Sequence, residues 1–186
     1  MSKHKIGSSS INPDPKTKAQ SAEEPQDEKS ICGSFAYGAG IRLRPMTIAD
    51  LDEVMAIERT SYQYPWSAGF FRQELQVACA RSILAETDGR IIGYVLYWLL
   101  PGGIDIHNLA VHVDFRRRGI ARRLLQSVVE EARRQSISRV MLEVRKSNLI
   151  AQKLYQQVGF TTTGIRKGYY SDNGEDALAM TLELST

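Results

Sequence analysis

One continuous stretch, residues 105–125, constrains the fold of this chain more than any other. It reads as an apolar strand that ends in a polar turn, followed by arginines and by a Gly119-Ile120-Ala121 step that opens a periodic helix. The first backbone N–H groups of a helix have no partner within the helix and carry partial positive charge, so anions bind there. The stretch therefore predicts a phosphate-binding turn between a strand and a helix.

The segments around this turn indicate a sheet covered by helices. Apolar residues of the helix predicted for residues 119–135 recur on one face, as expected for a helix packed on a sheet. A strand is predicted for residues 139–145, and its connection through that helix favours a parallel neighbour reached by a right-handed crossover.

Turn and capping residues divide the rest of the chain. Asp88-Gly89 between two apolar runs predicts a hairpin, and Ser67 and Asn148 are typical helix caps. The expected fold class is α+β (mixed αβ), with a central, mixed, mostly antiparallel sheet and helices on both faces. The other predicted elements are a strand at 41–45, helices after Thr47, Ser67 and Asn148, strands flanking Asp88-Gly89, and strands at 104–113, 160–163 and 176–184, the last two around a loop at 169–174.

Composition separates a polar extension from one domain. Residues 1–40 are rich in Ser, Pro, Lys and acidic residues and are expected to be disordered, whereas residues 41–186 form the domain. No apolar run reaches the length of a membrane span, and no secretory or mitochondrial leader is recognisable. Cys32 and Cys79 suggest neither a disulfide scaffold nor a metal cluster, so a cytoplasmic protein without a metal is expected.

The residues of the turn and two blocks downstream carry a resemblance. Arg116-Arg117-Arg118-Gly119-Ile120-Ala121 fits Arg/Gln-x-x-Gly-x-Gly/Ala, and it is followed by blocks at 142–148 and 154–160. In these motifs the chain resembles the Gcn5-related N-acetyltransferase (GNAT) superfamily, and within it the bacterial enzymes that acetylate the N-terminal alanine of a ribosomal protein. The similarity spans roughly residues 41 to 184. It implies the GNAT fold and an acyltransferase that uses acetyl-coenzyme A.

This resemblance also implies a coenzyme site along the strand and the turn. Main-chain N–H groups of the turn would hold the diphosphate, while the preceding strand would pair with the pantetheine amides and place an N–H near Val111 at the thioester oxygen. From the residues alone, a solvated basic helix end, an RNA contact or an ordinary buried strand remain open. The expected coenzyme residues are Leu109, Ala110, Val111, Arg116, Arg117, Arg118, Gly119, Ile120, Ala121, Arg122 and Asn148.

Two further residues receive catalytic roles from the resemblance. Glu143 interrupts an apolar strand, and a carboxylate there needs either a cleft or a partner; the resemblance makes it the general base. Tyr155 shares a helix face with Asn148, and the resemblance makes it the acid that protonates the leaving sulfur. The residues alone also permit a structural salt bridge at Glu143 and a core tyrosine at position 155. Neither cysteine has a Cys/His arrangement, so direct transfer in a ternary complex is expected.

The resemblance implies that the acceptor is the α-amine of a protein chain, most specifically the N-terminal alanine of a small-subunit ribosomal protein. An α-amine has a pKa of about 8 and a lysine side chain about 10.4, so one glutamate deprotonates the α-amine more readily. The acceptor groove is predicted at Tyr62, Trp66, Tyr169 and Tyr170. The alternatives are a broader N-terminal, lysine or small-amine acetyltransferase and, more remotely, a non-catalytic ribosome- or RNA-associated adaptor; neither a membrane nor nucleic acid is an expected partner.

Overall fold

A computed structural model describes residues 40–185 of the chain. The predicted disordered extension therefore lies outside the described residues, apart from Gly40. Short 3-10 turns at Ile48–Asp50 and Val113–Phe115 precede two of the helices. The longer elements are β1 (Arg42–Pro45), α1 (Leu51–Ser61), α2 (Ala68–Glu74), β2 (Ala80–Thr87), β3 (Arg90–Leu100), β4 (Gly103–Val111), α3 (Ile120–Arg134), β5 (Arg139–Arg145), α4 (Leu149–Val158), β6 (Thr161–Tyr170) and β7 (Glu175–Glu183).

Local chemistry explains where these elements begin and end. Asp88 and Gly89 both have positive φ, 48° and 73°, as the tight turn between β2 and β3 requires. Ser67 Oγ accepts a hydrogen bond from the Phe70 N–H at 3.1 Å and so caps α2. Gly159, with φ of 109°, ends α4 in the left-handed conformation.

The seven strands form one sheet in the order β1-β2-β3-β4-β5-β7-β6. Every neighbouring pair is antiparallel except β4 and β5, which are parallel and joined through α3. The predicted fold class, a mixed and mostly antiparallel sheet, is confirmed. The single parallel pair lies at the centre of the sheet.

Helices cover the sheet on both faces and enclose two hydrophobic clusters. On one face, α3 and α4 pack on the sheet, and the α3 side chains of Leu124, Leu125 and Val128 are completely buried. On the other face, α1 and α2 cover only the half of the sheet that includes β3, where Phe71 and Tyr94 are buried. Full burial of one leucine or valine side chain contributes roughly 1.5–3 kcal/mol to the free energy of unfolding.

Two strands end two or more residues away from the position that the sequence predicts. β4 ends at Val111 rather than at residue 113, because the chain turns into a 3-10 helix. β6 continues to Tyr170 instead of stopping at residue 163. Its pairing with β7 is interrupted between Thr162 and Gly164 and again between Arg166 and Tyr170. These irregularities break the two-residue alternation from which strands are predicted, so Tyr169 and Tyr170 belong to a strand end rather than to a loop.

Candidate active site

The two parallel strands separate before they end, and the separation creates a wedge-shaped gap. Pairing is confined to Ile104–Ile106 of β4 against Val140–Leu142 of β5. β4 nevertheless continues to Val111 and β5 continues to Arg145. Because both strands diverge from the same point, residues 109–111 and residues 143–145 line opposite sides of the gap, here called the wedge.

The β4 side of the wedge presents backbone groups without a neighbouring strand. The Leu109 carbonyl accepts a hydrogen bond from the Tyr62 hydroxyl at 2.6 Å, and the Val111 carbonyl accepts one from Arg116 Nε at 3.1 Å. The N–H and C=O of one residue in an antiparallel strand point to the same side. The N–H groups of Leu109 and Val111 therefore face the wedge, while Ala110 faces β3.

The arginine turn closes one end of the wedge with a backbone cradle. Arg117 and Gly119 have positive φ, 60° and 81°, and a side chain added at Gly119 would meet no atom within 4 Å. The first helical hydrogen bond runs from the Arg123 N–H to the Gly119 carbonyl at 3.0 Å. Within the described part of the chain, the N–H groups of residues 117–122 have no backbone acceptor. This arrangement suits a phosphate group.

The guanidinium of Arg116 is engaged in hydrogen bonds within the protein and is not directed at the anion cradle. Besides the Val111 carbonyl, it donates to Ser61 Oγ at 3.1 Å and to the Thr60 carbonyl at 3.4 Å. Arg116 therefore ties the end of α1 to the end of β4. Any contribution of this residue to anion binding comes from its place in the turn, not from a free side chain.

Helix α4 follows the carboxyl end of β5, on the opposite side of the wedge from the arginine turn, and carries two of the predicted residues. Asn148 caps α4, since its side-chain oxygen accepts from the Ala151 N–H at 3.1 Å. Tyr155 lies two turns further along the helix, with its ring against Phe160 at a centroid distance of 5.8 Å. Burial raises the pKa of the Tyr155 phenol to about 12. This phenol therefore keeps its proton at neutral pH.

Glu143 lies on the β5 side of the wedge. Its side chain is 16 % exposed and forms an ion pair with Arg166 at 2.9 Å. Burial, and next the nearby Asp105 carboxylate, raises the pKa of Glu143, while the Arg166 guanidinium lowers it. Glu143 thus has an arginine partner and also remains partly open.

The predicted acceptor residues divide into two groups. The pKa of Tyr62 is raised by burial, and next by the nearby Tyr155, with a smaller contribution from Tyr170, so these three phenols lie near one another. Tyr169 contacts Tyr170 edge-on at 5.2 Å. Trp66, in contrast, packs on the α2 aromatics, with its ring centroid 4.3 Å from that of Phe70. Trp66 is therefore packed against α2 and is not presented as an open surface.

A buried carboxylate beneath this groove was missed from the sequence. Glu58 on α1 is only 1 % exposed and accepts hydrogen bonds from the Trp66 N–H at 2.7 Å, from the Tyr94 hydroxyl, and from Asn108 Nδ2 at 3.3 Å. Its position on the apolar face of α1 was the available signal, since a charged residue on a buried face needs partners. The Glu58 network fixes the loop at residues 62–67, between α1 and α2, against β3 and β4.

The hairpin between β6 and β7 is held by another residue that was not assigned a role. Arg145, the last residue of β5, contacts Asp172 at 2.5 Å and Glu175 at 3.1 Å. Its guanidinium also lies 3.7 Å above the ring centroid of Tyr170. Tyr170 is therefore fastened to the strand that carries Glu143.

Sequence comparison agrees with this geometry. Residues 51–160 match the model of the acetyltransferase (GNAT) family. A Bacillus subtilis (strain 168) protein provisionally named as a ribosomal protein bS18-alanine N-acetyltransferase is 38% identical over 139 residues, which cover 74% of this chain and 92% of that protein. The chain belongs to the GNAT acetyltransferase family. The predicted family and the predicted enzyme class, an acyltransferase, are both confirmed.

Solved structures of GNAT proteins share the fold. The ribosomal-protein-S18-alanine N-acetyltransferase of Escherichia coli superposes with a TM-score of 0.73 at 28% identity, covering 78% of this chain and 95% of that one. A GNAT family acetyltransferase from Elizabethkingia anophelis, solved with acetyl-CoA bound, superposes with a TM-score of 0.65 at 24% identity, covering 79% of this chain and 100% of that one. The second likeness establishes the shared fold.

The described residues contain neither a metal cluster nor a membrane-spanning helix. Among residues 40–185, no group of three or more His, Cys, Asp or Glu side chains is arranged to hold a metal ion. Within the same part of this GNAT protein, no helix combines the length and the apolar character needed to cross a bilayer.

Proposed function

We propose that this GNAT protein transfers the acetyl group of acetyl-coenzyme A to the α-amine of a protein N-terminus, specifically the N-terminal alanine of a small-subunit ribosomal protein, in the cytoplasm. The proposal rests on the wedge, because this gap lies between the backbone anion site of the arginine turn and the Glu143 carboxylate, with the Tyr155 phenol on the helix that follows β5. The names of the B. subtilis and E. coli relatives support the choice of acceptor.

The backbone of the wedge fits the donor in this proposal. Leu109 and Val111 offer N–H groups to the amides of an extended pantetheine arm, as a neighbouring strand would. Residues 117–122 offer N–H groups to the diphosphate, and Gly119 leaves room for it to approach. Asn148 Nδ2 is available to the same ligand, since only its side-chain oxygen is used by the cap. A donor near Val111 stabilises the oxyanion as the amine adds to the thioester carbonyl.

Glu143 and Tyr155 carry the proton transfers. Glu143 accepts a proton from the acceptor amine through water, the nitrogen forms a bond to the carbonyl carbon, and the carbon–sulfur bond then breaks. Tyr155 gives its proton to the departing sulfur, and the second proton that the nitrogen loses as the amide forms restores the Tyr155 phenol. The raised pKa of Tyr155 suits this role, because the same burial also raises the pKa of the thiol that forms.

The groove formed by Tyr62, Tyr169 and Tyr170 receives the acceptor peptide, with Trp66 behind its wall. An α-amine, with a pKa of about 8, needs less help to lose its proton than a lysine, at about 10.4. The difference amounts to roughly 3 kcal/mol at about 1.4 kcal/mol per pKa unit. A single carboxylate therefore favours an N-terminal acceptor.

Mass spectrometry of a peptide panel tests this function. Peptides that begin with Ala, Ser or Met, and one with a blocked terminus and internal Lys, are incubated with the full chain and acetyl-coenzyme A. We expect acetylation of the Ala peptide at its α-amine and none of the blocked peptide. Acetylation on Lys alone would overturn the substrate assignment, and equal acetylation of all three free termini would favour the broader N-terminal acetyltransferase.

A further inference from the structure

Arg166 reaches Glu143 across an intervening strand, and the residues between them are small. Glu143 lies opposite Ala179 of β7, which in turn lies opposite Gly164 of β6. Arg166, two residues further along β6, lies opposite Ala177. Alanine and glycine have little or no side chain to rise above the sheet at this point. The long Arg166 side chain therefore crosses over β7, and its guanidinium lies 2.9 Å from the Glu143 carboxylate.

The two members of this ion pair differ in their exposure. The Arg166 side chain is 58 % exposed, whereas the Glu143 side chain is 16 % exposed. The guanidinium also lies near the Tyr169 ring, whose centroid is 5.7 Å away. The arginine can therefore leave the carboxylate for water at little cost, while the carboxylate stays in the wedge.

The surroundings of Glu143 make Arg166 the principal cation near it. Burial and Asp105 oppose ionisation of Glu143, and Arg166 favours it ahead of the smaller contribution of His107. Lys167, the next residue, pairs instead with Asp176 at 2.8 Å. The titratable or charged groups that face Glu143 are Asp105 and His107 from β4 and Arg166, Tyr169 and Tyr170 from β6.

We propose that Arg166 is a positioning residue that occupies, beside Glu143, the place taken by the ammonium group of the acceptor. This inference rests on the proposed function. Before the acceptor arrives, the guanidinium favours the ionised form of the carboxylate and holds it through the 2.9 Å ion pair. The incoming ammonium displaces it, gives up a proton to Glu143 through water, and becomes the neutral nucleophile, while the guanidinium moves into solvent beside Tyr169.

The pH dependence of turnover tests this role. In Arg166→Met the charge is lost but the chain length is nearly kept. The acid limb of kcat/KM reports the pKa of the base in the free enzyme, and this limb is expected to move to higher pH. The KM for the Ala peptide, measured on the alkaline side of that limb, is expected to fall by about two- to fivefold, the size of a partly exposed ion pair. The kcat there changes less.

Two variants serve as controls. Lys167→Met removes the same charge from the adjacent position and should leave the acid limb where it is in the wild type. Arg166→Lys retains the charge and should restore most of the wild-type profile. An Arg166→Met profile that coincides with the wild-type profile would overturn the proposal, as would an equal shift in Lys167→Met.

A spectroscopic titration keeps this test separate from that of the function. The ¹³C shift of the Glu143 side-chain carboxyl, followed against pH in wild type and Arg166→Met, requires no substrate. A higher midpoint in the variant supports the Arg166 role even if no peptide is acetylated, which would reject the proposed function alone. Equal midpoints in an enzyme that acetylates the Ala peptide reject the Arg166 role alone.

Discussion

Burial acts in the same direction on the two groups proposed to move protons. It raises the pKa of Tyr155 to about 12 and raises that of Glu143 above its ordinary value. For the phenol the result is a donor that remains protonated at neutral pH. For the carboxylate the result is a stronger base, and the nearby Arg166 limits this shift. One physical effect thus serves an acid and a base.

Removal of one hydroxyl tests the acid. Tyr155→Phe is expected to lower kcat by about 10²- to 10⁴-fold, the usual contribution of a general acid, while the calorimetric Kd for coenzyme A stays close to that of the wild type. Tyr97→Phe is the matched control, since Tyr97 is also buried in the sheet but faces residues at the far end of α3. Unchanged turnover in Tyr155→Phe would remove the acid assignment.

At the scale of elements, short-range patterns predicted most of the fold. The Asp88-Gly89 hairpin, the caps at Ser67 and Asn148, and the strand–turn–helix around Gly119 depend on neighbouring residues and were all correct. These patterns act within a few residues, so the sequence displays them directly.

The contacts that were missed join residues far apart in the chain. Glu58 meets Tyr94 and Asn108 across 36 and 50 positions, and Arg166 meets Glu143 across an intervening strand. No periodicity encodes such pairs, because they depend on strand order and register. The same reason explains why the separation of β4 from β5 was not foreseen, although the residues on both of its sides were named.

The arginine turn allows a matched test at the scale of one element. Gly119 and Gly89 both have positive φ, and a Cβ atom added at either position would meet open space, so alanine at either position should destabilise the protein by about 1–2 kcal/mol. Only Gly119 borders the proposed diphosphate site, where the added methyl group would hold the diphosphate away from the backbone N–H groups. Gly119→Ala should therefore bind coenzyme A about tenfold more weakly or worse, the size of one lost charge-assisted hydrogen bond.

Thermal unfolding and calorimetric titration of the two variants check this prediction. Similar losses of stability combined with a loss of coenzyme affinity in Gly119→Ala alone are expected. If Gly89→Ala weakens coenzyme binding equally, the effect belongs to general destabilisation and the cradle assignment fails.

At the scale of the whole molecule, the Glu58 network connects the helical layer to the sheet. Helix α1 contributes the carboxylate, β3 and β4 contribute Tyr94 and Asn108, and the loop at residues 62–67 contributes the Trp66 N–H. A carboxylate charge buried in this position is costly unless hydrogen-bond donors satisfy its oxygens. The protonation of Glu58 is therefore coupled to the free energy of unfolding of the whole domain, and not only to the local structure around Trp66.

This coupling gives a pH dependence of known sign. Burial raises the pKa of Glu58 above 4.5 in the folded protein, so the folded state binds the proton more tightly than the unfolded chain does. The stability that this group contributes is complete below about pH 4.5 and is lost as the pH rises through the folded pKa. Glu58→Gln should lack this decline.

Urea unfolding from about pH 4.5 to neutrality measures the difference between the two proteins. We expect the free energy of unfolding of the wild type to fall relative to that of Glu58→Gln across this range. Glu130→Gln, which removes an exposed carboxylate on α3, should instead track the wild type. Parallel curves for Glu58→Gln and the wild type would contradict the prediction.

In the proposed complex, the donor fills the gap that the separation of β4 from β5 leaves in the sheet. A sheet that leaves backbone donors without a neighbouring strand at its centre is incomplete, and an extended ligand with amide groups completes it in the way that an eighth strand would. Occupancy and folding are then thermodynamically linked, with about 2.7 kcal/mol of added stability when the ligand is at 100 times its Kd. In that complex, a higher concentration of the donor would shift the folding equilibrium further toward the folded form.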